Sequence, residues 1–164
     1  MKTEFTGFHP VRRDRLVQDT RHDTYKAKHK PHEPTVCPQC GAVFHDGRWQ
    51  WLVRPAQAHE EMCPACHRIQ DDFPAGYVTV EGPFFKEHHE ELLHVAQNEE
   101  ARAKLEHPLK RIMKIQDQGD GVLITTTDIH LARGIGEALH HAYQGELAYH
   151  YNEQENLLRV VWER

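Results

Sequence analysis

The sequence predicts an α+β protein in three parts: an extended basic N-terminal tail (residues 1–34), a small four-cysteine zinc module (35–72) and a two-helix α/β sandwich domain (73–164). Three observations predict it. The four cysteines fall into two CxxC pairs, Cys37/Cys40 and Cys63/Cys66. From Tyr77 onward the apolar residues switch between the strand period and the helix period. Before Pro34 there is neither period nor much apolar content, so that segment is expected to stay extended or disordered until a partner orders it.

The tail carries eight Lys and Arg residues against five Asp and Glu, so it is +3 while the remainder is −8 of a chain total of −5. A basic arm on an acidic body is a common pattern in chains that bind polyanions. Its candidate phosphate contacts are Arg12, Arg13, Arg15, Arg21, Lys26, Lys28 and Lys30. A solvated tail with no partner is the plainer alternative.

In the module, each cysteine pair has a Cys-Pro step, where proline fixes φ in a turn. Gly41 supplies the left-handed position that lets backbone amides approach the sulfurs. The 22 residues between the pairs include His45-Asp46-Gly47 between two apolar runs, a hairpin signal. Two such knuckles aim four thiolates at one point, and four thiolates close the coordination sphere of one structural zinc ion. A zinc-ribbon or treble-clef-like module is expected. A c-type haem reading of Cys63-Pro-Ala-Cys66-His67 requires an export signal that is not visible. A rubredoxin-like iron site requires glycine where His67 stands, and a redox dithiol needs only one pair. On the hairpin, Arg48, Trp49 and Arg54 are candidate RNA contacts, since arginine and aromatic rings stack on unpaired bases. The competing reading is that Trp49 and Trp51 pack the small module.

The domain from residue 73 reads β-α-β-β-α-β-β on a mostly antiparallel sheet. Tyr77–Val80 is the first strand, and Phe84 to about Leu105 is a helix with Phe85, Leu92 and Ala96 on one stripe. Arg111–Ile115 and Val122–Thr127 form a hairpin around Gly119-Asp120-Gly121. Asp128 caps a helix with an apolar face of Leu131, Ile135, Ala138, Leu139 and Ala142, and Gly145 ends it. Leu147–Tyr151 and Leu157–Trp162 close with a second hairpin. Asp128 and His130 resemble an acid–base pair, but capping accounts for Asp128. Gly134 and Gly136 lie inside a helix, where glycine permits close packing. Glu90, Glu91, Glu99 and Glu100 are expected on a solvated face.

Composition narrows the function. The chain has no serine, and all four cysteines are committed to the metal, so neither a serine nor a free-thiol nucleophile remains. A closed zinc sphere leaves no catalytic position, and neither an enzyme nor a small-molecule substrate is expected. No apolar run approaches the roughly 20 residues of a membrane span. Met1–Pro10 lacks the apolar core of a signal peptide, so a cytoplasmic location and no membrane partner are expected. The 15 histidines are read mainly as exposed.

The order from Cys63-Pro-Ala-Cys66 through Thr125-Thr-Thr-Asp-Ile-His-Leu-Ala-Arg133 to Leu158-Arg-Val-Val-Trp162 resembles a small bacterial zinc-binding family. It is also similar to the N-terminal region of the archaeal and eukaryotic large-ribosomal-subunit export adaptor, also called the nonsense-mediated decay adaptor. In that adaptor, paired CxxC motifs precede a two-helix mixed domain. The adaptor's later domain and export signals have no counterpart up to Arg164, so nuclear export is not implied. The resemblance does imply binding to the large ribosomal subunit, near its tRNA sites, as an assembly, rescue or stasis (hibernation) factor. Two alternatives come from other classes: a regulatory module whose zinc hairpin docks a protein, and a metalloenzyme using a second, histidine-rich site.

Overall fold

A computed structural model of the chain describes residues 9–11, 25 and 29–164. In chain order the elements are β1 (His9–Val11), β2 (Thr35–Val36), β3 (Val43–His45), β4 (Arg48–Gln50), β5 (His59–Glu60), α1 (Pro64–Asp71), β6 (Gly76–Glu81), α2 (Pro83–Glu106), β7 (Ile112–Asp117), β8 (Gly121–Thr126), α3 (Ile129–Tyr143), β9 (Glu146–Asn152) and β10 (Leu157–Glu163).

The period-two segments after residue 75 form a six-stranded sheet in the order β1-β9-β10-β6-β8-β7. All its pairings are antiparallel except β10 with β6, which run parallel with Val160 beside Val78 and Trp162 beside Val80. That contact joins the last strand to the domain's first and puts both mid-sheet. Their alternate residues Val78, Val80, Leu158, Val160 and Trp162 are buried, as one apolar face per strand requires. Helix α3 packs on β6, β8, β9 and β10, and α2 packs beside it. Phe85, Leu92 and Ala96 of α2 and Leu131, Ile135 and Leu139 of α3 complete the core.

The cap and the helical glycines behave as expected. The Asp128 carboxylate accepts from the Leu131 amide at 2.9 Å, and Gly145 follows the helix end with φ of 87°. At Gly136, a Cβ would lie 2.6 Å from Val160 Cγ1, so the missing side chain sets the distance between α3 and the sheet.

Four features differ from the sequence expectations. A third helix, α1, follows the second cysteine pair. The helix α2 holds a non-helical residue, His88, whose ring stacks on Phe84 at 4.0 Å. Glu99 and Glu100 do not form a solvated face. Glu99 bonds Arg102 at 2.6 Å with its side chain largely covered, and Glu100 accepts the Ile112 amide where β7 begins. Finally, residues 9–11 are a paired strand at the β9 edge rather than free tail.

Candidate metal centre and adjoining groove

The metal module is a second sheet in the order β4-β3-β2-β5, followed by α1. Asp46 and Gly47 both have positive φ, 50° and 76°, the geometry of a two-residue type I′ turn, and they place Arg48 opposite His45. The first knuckle closes as the Cys37 amide donates to the Ala42 carbonyl at 2.8 Å and the Gly41 amide to the Cys37 carbonyl at 2.9 Å. Gly41 takes its left-handed φ of 81°. Its own amide goes to a carbonyl, and the amide approaching a first-knuckle sulfur is that of Ala42, which bonds Cys40. The second pair sits at the start of α1. Cys63 is the N-cap, and its sulfur accepts the Cys66 amide at 3.4 Å. The Cys63 amide in turn donates to the Cys37 sulfur at 3.3 Å.

All four sulfurs lie within 4.8 Å of one another, and Cys40 and Cys63 are 3.8 Å apart. A tetrahedron with metal–sulfur arms of about 2.3 Å has edges of about 3.8 Å. A disulfide would need about 2.05 Å. The spacing therefore fits four ligands around one tetrahedral cation. Protonation tells the same story. The shared hydrogen bond with Cys63 is the main cause pulling the Cys40 thiol down to about 4, assisted by the Ala42 amide and the Arg111 charge. The same bond, followed by burial, pushes Cys63 far up, and burial raises Cys66. Packed thiolates repel one another, and a cation bound among them relieves that repulsion.

Sequence reasoning missed the strongest neighbour of this cluster. Arg111, at the mouth of β7 in the other domain, is 8% exposed and turns its guanidinium onto the sulfurs. Its Nη2 lies 3.1 Å from Cys40 Sγ and 3.4 Å from Cys63 Sγ, and its Nη1 lies 3.3 Å from Cys66 Sγ. Burial works against its charge, but the hydrogen bond to Cys66 and the charges of Cys40, Cys63 and Cys66 outweigh it and hold the guanidinium above its ordinary value. Its aim is fixed from behind. Arg111 Nε donates to the Pro108 carbonyl at 2.8 Å, and its amide donates to Thr127 Oγ1 at 2.9 Å. The Thr127 hydroxyl also bonds the Leu109 carbonyl at 2.6 Å. The end of β8 thus holds the loop that carries the arginine. Four thiolates around a divalent cation leave two negative charges, and Arg111 offsets one of them.

No protein-family model, curated protein or solved structure matches this chain.

Of the RNA-contact candidates, Arg12, Arg13, Arg15, Arg21, Lys26 and Lys28 lie outside the described residues. Lys30 pairs with Glu33 at 3.2 Å, and Arg54 pairs with Glu60 at 2.6 Å. Trp49 packs edge-on against Phe44 at 5.5 Å, beside the cysteine cluster. Trp51 lies past the strand end, where its indole donates to the Lys104 carbonyl of α2 at 2.7 Å. Arg48, Trp49 and Lys30 share one feature: they line a cavity of about 700 Å³ bounded by the metal module, the 107–110 loop, and Tyr25 with residues 29–31. That loop adds His107 and Lys110 to the wall. Asp128 also lines it, but its carboxylate is held by the helix cap, and His130 is exposed. No described helix is long and apolar enough to cross a membrane.

Proposed function

We propose that this chain is a non-enzymatic, zinc-containing RNA-binding protein that associates with the large ribosomal subunit. The observation that carries the reading is the pairing of a closed four-sulfur centre with a cationic, aromatic-walled cavity beside it. Zinc is the ion that four thiolates at this spacing suit best, and with all four ligands from protein it braces structure and leaves no site for substrate. A knuckle, a hairpin and a helix that starts at the second pair fit the treble-clef type of module better than the ribbon type. Bracing of this kind fixes Arg48 and Trp49 at one edge of the cavity. The ribosome enters through the adaptor-like order of elements and the basic tail, and an assembly, rescue or stasis role fits such a factor.

A second reading has its own observation. Trp51, Leu52, Val53 and Leu105 are exposed at 39%, 44%, 93% and 77%, an apolar surface on which a protein partner would dock. Sedimentation of a cell lysate through sucrose at low and high salt separates the two. The ribosomal reading predicts protein in the large-subunit fractions at low salt and its release at high salt, with a weaker salt response after removal of residues 1–30. Absence from all ribosomal fractions at low salt contradicts it and favours protein docking.

A further inference from the structure

We infer that the cavity between the metal module and the 107–110 loop is a binding site for one unstacked nucleotide, with the base against Trp49 and the phosphate between Arg48 and Lys110. The inference rests on the RNA reading above and places a contact where the metal module and the 107–110 loop meet residues 29–31 at the end of the tail.

Size is the first argument. About 700 Å³ lies within the usual range for a small-molecule site, roughly 300–1,000 Å³. Chemistry is the second. The wall joins aromatic and apolar surface from Phe44, Trp49 and Met62 to the cations of Arg48 and Lys110. Among the described residues neither cation has an ion-pair partner, whereas Lys30 and Arg54 are each bound to a glutamate. Two uncommitted cations beside an indole suit a ligand that is flat and aromatic at one end and anionic at the other.

Charge is the third argument. The chain from Thr35 onward is −8, yet with Lys30 paired to Glu33 the cations Arg48 and Lys110 still equal in number the two wall carboxylates, Glu61 and Asp128. One of those two is already engaged, since Asp128 caps α3. An anionic strand repelled by most of the body would find its favourable contact here.

Both walls are also held in place. Arg48 and Trp49 lie on the hairpin attached to the first cysteine knuckle, and Lys110 precedes the arginine that bonds the sulfurs. The cysteine cluster therefore ties down two of the cavity's walls. A preformed site of this kind loses little ordering entropy when the ligand enters.

A nucleoside monophosphate free in solution and one nucleotide within single-stranded RNA present the same chemistry. Fluorescence anisotropy with a labelled single-stranded RNA dodecamer, and NMR titration with AMP and GMP, distinguish these sources on the zinc-loaded full chain. A response to the dodecamer alone identifies a strand, and a response to the mononucleotides alone identifies a free nucleotide. The double variant Arg48→Glu/Lys110→Glu should weaken dodecamer binding at least tenfold, with zinc content and thermal melting unchanged. Trp49→Leu keeps apolar contact with Phe44 but removes most of the stacking surface, and it should weaken binding by a similar factor. The inference is overturned if the double variant binds like the parent chain. It is also overturned if neither the dodecamer nor the mononucleotides bind.

The double variant separates this site from the ribosomal reading. Ribosome co-sedimentation unchanged in the double variant sinks the cavity and leaves the ribosome standing. Dodecamer binding without ribosome association has the opposite meaning.

Discussion

Replacing Arg111 with methionine keeps a long, flexible side chain in the same space and removes the guanidinium that faces three of the four sulfurs. Its contacts at 3.1–3.4 Å are hydrogen bonds to charged acceptors. Hydrogen bonds to charged groups contribute about 1.5–3 kcal/mol each, but three N–H···S contacts from one fork do not add independently. Loss of an outer-shell partner typically weakens metal binding about 10–100-fold, or about 1.4–2.7 kcal/mol. The upper part of that range applies here, because Arg111 is buried. Because metal binding is linked to folding, the same loss should lower the thermal midpoint of the metal module by at least about 5 °C. Competition against a chromophoric chelator reads the affinity, and calorimetry reads the midpoint. Arg111→Lys should fall between the two, since an ammonium supplies the charge but not the planar fork. Metal affinity within about threefold of the parent chain in Arg111→Met would refute the assignment of Arg111 to the metal centre.

Three further outcomes follow from particular contacts. Chelating the metal should abolish hydrogen-exchange protection across residues 35–72 and at 108–112, while β6, β8 and β10 stay protected by the Val78, Ile124, Leu158 and Trp162 core; loss of protection in all strands together would contradict separate cores. Asp128→Ala should cost about 0.5–2 kcal/mol in urea unfolding as a lost helix cap, whereas His130→Ala, at an exposed position, should leave the curve within about 0.5 kcal/mol of the parent. Gly136→Ala places a methyl 2.6 Å from Val160 Cγ1 and 3.1 Å from Leu147 Cδ1 and should cost about 1–3 kcal/mol; an unchanged urea midpoint would show that α3 is free to lift off the sheet.

The parts legible in the sequence are those governed by local rules. Cysteine spacing marked the four-sulfur cluster, because a knuckle is a turn of fixed length. Asp46-Gly47 marked the hairpin, because few residue pairs take positive φ at both positions. Asp128 marked the start of α3, and period two marked β6 and β10. What stayed hidden depends on partners distant in the chain. Helix α1 is eight residues long and mostly polar, too short for a periodic signal, and its N-cap is a cysteine already assigned to metal. The parallel pairing of β10 with β6 joins residues about 80 positions apart, and no turn signal encodes it. Arg111 read as the first residue of an ordinary strand, although it is the cation that links the two modules. The nearest sequence clue is Thr127, whose hydroxyl holds the 109–111 backbone, yet three consecutive threonines look like any strand end.

Metal stoichiometry tests the central claim most directly. Elemental analysis of freshly purified, reduced protein, run beside native mass spectrometry, should find one zinc per chain. Cys63→Ala, which removes the buried sulfur that lies 3.8 Å from Cys40 Sγ and accepts the Cys66 amide, should reduce that content to near zero. Metal content near zero in the parent protein, or a visible haem or iron absorption band, would contradict a four-thiolate zinc centre.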